Sequence, residues 1–328
     1  MRALRIAITV LLTVFLFTYV VDGEKALRTI SGISPAWAIV TMSIVTLDRF
    51  WTAYKWRLLL LMRGGTVGLL ESVQIYCAAM VWGTALPSTV GADAIRATVV
   101  ARRKLAAPLD VVASILIERG VGFVVALVWA VGALLLLENL LPSTHVFQRA
   151  FWPVTLVLLA VTGALIASLH RPFFDKMMSS LPRQLAEHRA ARLIDRLHRA
   201  YSDLGASPRT MAAFTVLTLL QPITGIGITW GSAMALDVHA PMPTLLAAVP
   251  LGFVVARFPI SLDGIGVYES IFIGIMALSG ISPADSLAIA VVSRVLQFLA
   301  WLPWWGAFVF TAGSVKRPVR EEPAHDIP

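Results

Sequence analysis

The sequence predicts an all-α integral membrane protein that crosses the bilayer several times. Hydrophobic residues make up 58% of the 328 positions and charged residues 14%, whereas a soluble domain carries about 25% charged residues. The apolar residues lie in runs long enough to cross a bilayer, which takes about 20 residues. Two further apolar runs contain proline, glycine and charge in their middle. We therefore predict six full spans plus two broken or re-entrant hairpins, arranged as an inverted-topology repeat.

Six segments have the length and the apolar character of a complete span. They are residues 4–22, 35–58, 110–137, 152–169, 210–236 and 284–312. The first segment follows Arg2 and Arg5 as a signal peptide would, but no A-x-A cleavage site comes after it, so we interpret it as an uncleaved span. Residues 1–313 are then one transmembrane domain, and residues 314–328 form a polar tail.

The distribution of Lys and Arg predicts the orientation in the membrane. Residues 170–209 contain eight Lys or Arg and four Asp or Glu, with apolar residues at helical spacing. This pattern predicts an amphipathic helix on an anionic cytoplasmic membrane surface. The loops at 22–34, 138–151 and 237–243 carry fewer cations and are predicted to lie outside. Both termini of the multi-pass chain are then cytoplasmic, and we expect the protein in the cell inner membrane.

This orientation determines how the two broken regions enter the bilayer. Residues 67–106 must start and finish inside, and residues 242–281 must start and finish outside. Repeat one then covers about residues 35–137 and repeat two about residues 210–312, with opposite orientation, as in many transporters. The alternative is that each broken region is a complete pair of spans, which gives ten helices with the same inside and outside loops.

The two broken regions contain comparable breaks, "LPSTVGADAIRA" (86–97) and "FPISLDGIGVYES" (258–270). Proline removes a backbone donor, and a broken helix at membrane depth is tolerated only where it is buried in protein or lines a cavity. The residues that we expect to break the helices are Pro87, Gly91, Pro259, Gly264 and Gly266.

Charged residues accompany both breaks and the span that follows each one. Arginine suits bidentate contact with phosphate, and a charge inside the membrane indicates a functional site by default. The candidate substrate-binding residues are Arg96, Arg119, Arg257, Arg294, Asp93, Glu118, Asp263 and Glu269. The alternative is structural: Asp93–Arg96 and Asp48–Arg49 as local pairs, Glu118–Arg119 as a lock between helices, and Arg257 reaching towards an interface.

Common catalytic and nucleotide-binding motifs are absent from the sequence. No P-loop, H-E-x-x-H or G-x-S-x-G pattern occurs, and the six histidines lie in predicted loops or the tail. We therefore expect no enzyme, no cofactor, no metal and no nucleic acid. The remaining enzymatic alternative is a shared-proton carboxylate pair formed by Asp93 and Asp263. The single cysteine, Cys77, allows no intrachain disulfide.

Together with "ASILIERGVGF" (113–123), the two breaks give the chain a family resemblance. It resembles, over about residues 5–312, the flippase-like membrane domain of bacterial lysyl-phosphatidylglycerol synthases. The resemblance implies binding or translocation of lipid, because a separate soluble domain of those synthases makes the aminoacylated lipid. We expect a stand-alone relative without that domain. The matching positions are Pro87, Gly91, Asp93, Arg96, Glu118, Arg119, Pro259, Gly264, Gly266 and Glu269.

Position 263 departs from the family pattern, because we expect a Gly-Gly pair where this chain has Asp263–Gly264. An extra carboxylate there would favour a cationic or hydroxylated head group. Our leading hypothesis is an inner-membrane, flippase-like lipid transporter that binds a polar phospholipid head group in a mid-membrane cavity. The alternatives are a membrane-embedded enzyme or accessory subunit acting on lipid-linked sugars, and a scaffold. The sequence leaves proton coupling and homo-oligomer formation open.

Overall fold

The computed structural model describes residues 23–84, 91–140, 145–169, 172, 176, 189–258, 261 and 264–313. Within these ranges the chain forms helices and the turns between them, without a strand. The all-α class is therefore confirmed. The predicted first span, the polar tail, and Pro87, Pro259 and Asp263 lie outside the described residues.

The first half of the described chain contains α1 to α6. Their bounds are Gly23–Ser31, Pro35–Leu61, Leu69–Thr84, Gly91–Arg102, Pro108–Leu140 and His145–Leu169. The second half contains α7 to α12. Their bounds are Arg189–Gly205, Pro208–Leu220, Pro222–Ala235, Met242–Ala256, Val267–Ala277 and Pro283–Gly313. Five of these helices begin at proline: α2, α5, α8, α9 and α12. Proline is favourable there because the N–H groups of a first helical turn have no partner within the helix, so the missing N–H costs no hydrogen bond.

Four stretches of the described chain are long and apolar enough to cross a membrane, and each corresponds to a predicted span. They are Pro108–Glu138, Arg149–Leu169, Pro208–Ala235 and Pro283–Phe310. The predicted span 35–58 forms α2, whose 27 residues extend about 40 Å. It is less apolar because it contains Asp48, Arg49, Lys55 and Arg57.

Contacts at the helix termini define two ends of the bundle. At one end the Ser34 amide, just before α2, donates to the Ala235 carbonyl at the end of α9 (2.7 Å). At the other end Arg63, just after α2, contacts Asp110 at the start of α5 (3.1 Å) and Asp203 on α7 (2.8 Å). The axis of α2 therefore runs from one end of the bundle to the other.

Two helical hairpins occupy the regions where the sequence is broken. The first consists of α3 and α4, and its base is closed by the Thr66 amide donating to the Leu105 carbonyl (2.9 Å), near the end of α2. The second consists of α10 and α11, and its base is closed by Thr244 and Ser279, whose hydroxyls are 2.5 Å apart. Because α10 follows the end of α9, this base lies near the start of α2.

The hairpin helices are short for membrane spans. They contain 16, 12, 15 and 11 residues, whereas a full crossing takes about 20. Each hairpin packs into its own apolar cluster. Residues of α2, α3 and α4 form one cluster around Trp56 and Cys77, and residues of α9, α10, α11 and α12 form another around Phe272. Helices α5 and α12 contribute to both clusters, so they join the two halves of the core.

The amphipathic helix expected within residues 170–209 is α7. Its C-terminal half packs on the protein, with Ala200, Tyr201 and Leu204 buried against α5 and α8. Its N-terminal half leaves Leu193 and Ile194 exposed. The apolar face is therefore divided between the protein and the surface. Helix α6 lies at the edge of the bundle, because no residue in its most apolar stretch is buried.

Candidate functional site

The tip of the first hairpin brings two helices unusually close together. A Cβ added at Gly83 on α3 would lie 2.9 Å from the Cβ of Ala92 on α4, so only glycine fits there without a shift. Helix α4 begins at Gly91, and Asp93 and Arg96 follow within its first two turns. The close approach therefore presents both charged residues to the side of α5.

Arg96 lies at the centre of a buried ion-pair network. Its side chain is 1% exposed, and its guanidinium contacts Asp93 Oδ1 and Glu118 Oε2, each at 2.8 Å. The guanidinium also lies over the rings of Trp56 (4.9 Å) and Tyr76 (4.4 Å), which contact each other edge to face. The Tyr76 hydroxyl donates to Glu118 Oε1 (2.8 Å). Two carboxylates and two aromatic faces thus surround Arg96, an arrangement typical of a charge held in place by the protein.

Asp93 extends this network to the more accessible Arg119. The Arg119 Nε and Nη2 atoms lie 2.8 Å and 2.6 Å from Asp93 Oδ2. The Arg119 side chain is 53% exposed, in contrast to the buried Arg96. One carboxylate therefore holds two arginines, of which the first is buried and the second is about half exposed.

Arg257, at the end of α10, brings the second hairpin to the same place. Its guanidinium nitrogens lie 3.5 Å and 3.8 Å from the position that a Cβ on Gly122 would take. Gly122 is three residues after Arg119, on the same face of α5. Arg257 interacts electrostatically with Arg119 and Glu118, and Phe258 contacts Phe123 edge to face. The two hairpins therefore meet on one face of α5.

Within the described residues Arg257 makes no hydrogen bond or ion pair, and it is exposed. Its neighbour on α5 is another cation, Arg119, which repels it. Two guanidinium groups therefore lie near the same face of α5, and Arg257 lies directly over Gly122. Asp263, the predicted carboxylate nearest to Arg257 along the chain, lies outside the described residues.

Glu269 organises the tip of the second hairpin. The chain turns at Gly264 and Gly266, which have φ values of +70° and +82° that strongly favour glycine. Glu269 Oε2 then accepts from the Gly266 amide (2.7 Å), which closes the first turn of α11. Its other oxygen, Oε1, accepts from Arg294 on α12 (2.9 Å). The carboxylate is 9% exposed and the Arg294 side chain 43% exposed.

The structure thus divides the predicted site residues into two groups. Asp93, Arg96, Glu118 and Arg119 form one network with Arg257 beside it, and Glu269 and Arg294 form a separate pair. In the sequence, Arg96 and Glu269 are opposite charges that could face one another. In the structure each is neutralised by the helix that follows its own hairpin.

Sequence reasoning missed several residues around this network. Trp56 and Tyr76 lie in apolar runs, and nothing in the sequence distinguishes them from ordinary core residues. Lys55 gives a signal that could have been used, because it is a cation within the span 35–58 and lies seven residues after Asp48, on the same helix face. The local pair expected for Asp48 and Arg49 is confirmed as an ion pair, and Arg49 also lies over the rings of Tyr76 and Trp301.

Comparison with known families identifies the chain. The family model described as the lysylphosphatidylglycerol synthase TM region matches residues 2–304. The chain belongs to this family. A search of curated proteins found no match. The membership confirms the resemblance carried by the two breaks and by "ASILIERGVGF", and it indicates a multi-pass membrane protein related to the modification or transport of lipids.

Within this member of the lysylphosphatidylglycerol synthase TM region family, the matching motifs coincide with the buried network. Asp93 and Arg96 come from the first break, and Glu118 and Arg119 come from the segment that follows it. Glu269 comes from the second break. The motifs therefore mark the positions where the hairpins are tied to the long helices.

Proposed function

We propose that the protein binds the phosphate of a polar lipid between Arg119 and Arg257 and moves the head group between leaflets. The observation that carries this proposal is the pairing of two cations, one of them without a partner among the described residues, beside Gly122. Adjacent like charges in a medium of low dielectric constant are unfavourable unless an anion lies between them. A phosphodiester is such an anion, and arginine can contact it through two parallel hydrogen bonds.

The buried network supports the proposal by holding Arg119 in place. Asp93 anchors the Arg119 guanidinium through two nitrogens, and Arg96 in turn fixes Asp93. We therefore assign Arg96, Asp93 and Glu118 to positioning, although each is a candidate binding residue by sequence. Arg294, which is 43% exposed next to Glu269, would contact the head group at a second position along the path.

An inverted repeat fits this function. In the first half, Arg96 on α4 pairs with Glu118 on α5, 22 residues later; in the second half, Glu269 on α11 pairs with Arg294 on α12, 25 residues later. The bases of the hairpins lie at opposite ends of α2, while their tips meet at α5. Two re-entrant hairpins of this kind would expose one site alternately to each leaflet.

The membrane placement belongs to the same proposal. The end of the bundle with Arg63 and α7 would face the cytoplasm of a cell inner membrane, and the end with Ser34 would face outside. The exposed Leu193 and Ile194 on the basic helix α7 would rest on an anionic lipid surface. Arg257→Gln provides the main test because it removes a charge that stabilises no described ion pair.

The test uses liposomes that contain the purified full-length chain and phosphatidylglycerol or phosphatidylethanolamine carrying a fluorophore. Dithionite bleaching from outside measures exchange between leaflets. We expect exchange above that of protein-free liposomes, and a decrease of about tenfold for Arg257→Gln, since a charge-assisted contact contributes about 1.5–3 kcal/mol. Arg199→Gln on the surface of α7 is the matched control. Exchange no faster than in empty liposomes would refute the transport function. Equal rates for Arg257→Gln and the control would remove Arg257 from the site.

A further inference from the structure

A buried polar seam runs along α2 where this helix packs on α8 and α9. Its central residue is Lys55, which is 2% exposed. The Lys55 ammonium donates to Thr218 Oγ1 (3.2 Å) and to Gln221 Oε1 (2.5 Å). The aromatic ring of Phe214 lies 5.6 Å from the nitrogen. The position of the seam coincides with the break at Gln221 between α8 and α9.

The partners of Lys55 are unusual for a buried cation. No Asp or Glu among the described residues lies within 4 Å of its nitrogen, although the buried arginines of the hairpin site are all held by carboxylates or lie beside one. A buried charge is ordinarily paired, because the loss of hydration is otherwise not offset. The oxygens of Thr218 and Gln221 can accept from an ammonium, and they can equally accept from the two N–H groups of a neutral amine. The seam can therefore hold Lys55 in either protonation state.

Hydrogen bonds connect Lys55 along the seam to Asp48. The Gln221 amide donates to Thr52 Oγ1 (2.8 Å). The Thr224 hydroxyl contacts both the Gln221 carbonyl (2.7 Å) and Asp48 Oδ1 (2.5 Å). A set of hydrogen-bonded polar groups thus extends along about two turns of α2.

The charge on Lys55 also interacts with charges at the site proposed for the lipid phosphate. Lys55 interacts with Glu118 on α5 and with Arg257 after α10. On its own helix it interacts with Asp48 and Arg49. Helices α8 and α9 and the break between them face it with the neutral Thr218 and Gln221. An anion bound at Arg257 therefore changes the proton affinity of Lys55. Because coupling between two sites is reciprocal, the protonation of Lys55 changes the affinity for that anion as well.

We propose that Lys55 is a proton-binding site that couples the transmembrane proton gradient to occupancy of the lipid phosphate site. This inference rests on the proposed transport function. An anionic phosphate between Arg119 and Arg257 offsets the positive charge that repels the Lys55 ammonium, so lipid binding favours the protonated lysine. When the lipid leaves, one N–H bond of the ammonium breaks, the proton passes to water, and the nitrogen keeps the electron pair. Lysine suits this role because the proton affinity of a buried lysine responds readily to its surroundings.

The first experiment compares the wild type, Lys55→Gln, Lys55→Arg and the exposed control Lys104→Gln in liposomes with fluorescent phosphatidylglycerol and an enclosed pH indicator. We expect the rate of lipid exchange in the wild type and in Lys104→Gln to change when a pH gradient is imposed, together with a proton flux. Lys55→Gln and Lys55→Arg should lose both responses, because glutamine does not titrate and arginine stays protonated at the pH values of the assay. Exchange in the wild type that ignores the gradient, or a normal response in Lys55→Gln, would overturn the coupling while leaving lipid transport intact.

A second measurement needs no transport. The Tm of the purified protein in detergent is followed from pH 6 to pH 11 for the same variants. Stability depends on pH wherever the pKa of a group differs between the folded and the unfolded state, so the difference in Tm between the wild type and Lys55→Gln should change with pH. For Lys104→Gln the difference should stay constant. A constant difference for Lys55→Gln as well would show that the folded protein does not alter the proton affinity of Lys55, and the inference would fail even if lipid exchange is absent.

Discussion

At the scale of single residues, the buried guanidinium of Arg96 is stabilised by two carboxylates, and it stabilises their negative charges in return. Arg96→Gln would leave Asp93 and Glu118 with one partner fewer in a site where Arg96 is 1% exposed. We expect a loss of about 3–5 kcal/mol in the free energy of unfolding, as for other broken buried ion pairs. Chemical or thermal unfolding in detergent measures this loss.

The matched control for Arg96 is Arg199, which also pairs with a carboxylate, Asp195, but at an exposed position on α7. Arg199→Gln should cost no more than about 0.5 kcal/mol, since exposed pairs of this spacing contribute little. Equal losses for the two variants would mean that the Arg96 network does not stabilise the fold, and the positioning role assigned to it would have to be abandoned.

The second ion pair predicts an asymmetry between its two members. Glu269 accepts from both the Gly266 amide and Arg294, whereas Arg294 is 43% exposed and can turn towards water or lipid head groups. Glu269→Gln should therefore lower the free energy of unfolding by about 2–3 kcal/mol, and Arg294→Gln by about 1 kcal/mol or less. Unfolding of both variants in the same detergent measures the difference. A larger loss for Arg294→Gln would contradict the capping role of Glu269.

Residue-scale inference from the sequence succeeded where charges stand out from an apolar background. Asp93, Arg96, Glu118 and Arg119 were all selected in this way, and they contact one another. The partners could not be assigned, because which charge meets which depends on how α4 docks against α5. For the same reason Tyr76 could not be recognised as the donor to Glu118.

At the scale of elements, the tip of the second hairpin depends on the backbone of Gly264. Its φ is +70°, and an added Cβ would lie 2.7 Å from the Cβ of Ala256. Gly264→Ala should therefore lower the free energy of unfolding by about 2 kcal/mol or more, through backbone strain and the clash. Arg257, one residue after Ala256, should move with the tip, so exchange of lipid between leaflets should fall as well. Unfolding in detergent and the dithionite assay measure the two effects.

Gly274 on α11 is the matched control for this substitution. It lies within the helix, and an added Cβ would meet nothing within 4 Å. Gly274→Ala should leave lipid exchange unchanged and raise the free energy of unfolding by about 0.5–1 kcal/mol, because alanine is the better helix former. If Gly264→Ala behaved like Gly274→Ala, the tip would not need a left-handed residue and the turn would be wrongly understood.

The helices were predicted well where the length of an apolar run alone determines that a membrane span forms. The stretches 110–137, 152–169, 210–236 and 284–312 correspond to helices that are long enough to cross a membrane. The two broken regions correspond to pairs of short helices. The break at Gln221 within the predicted span 210–236 was missed, although Pro222 marks it, because proline is also compatible with a continuous, bent helix in a membrane. The packing of α7 against α5 could not be foreseen, since an amphipathic pattern does not reveal what covers its apolar face.

At the scale of the whole molecule, two hairpins that start at opposite ends of α2 and meet at α5 suggest alternating access. In the proposed function, a lipid would reach the site at the meeting point of the tips from one end of the bundle or the other when one hairpin is displaced. Because the long helices α5 and α12 belong to both apolar clusters, they would stay fixed while the hairpins move. In the proposed function, each half would then consist of a fixed long helix and a hairpin that moves.

This arrangement makes a direct prediction about accessibility from the two sides of the membrane. Thr66 and Ser279 are exposed residues at the bases of the first and second hairpins. In a Cys77→Ala background, Thr66→Cys should react with an impermeant maleimide only after the cytoplasmic side is opened, and Ser279→Cys should react from outside in intact cells. Labelling of both cysteines from the same side would contradict hairpins of opposite orientation. The inverted repeat would then be wrong as well, because it requires the two hairpins to enter from opposite faces. Two hairpins that enter from one face could not present one site to both leaflets.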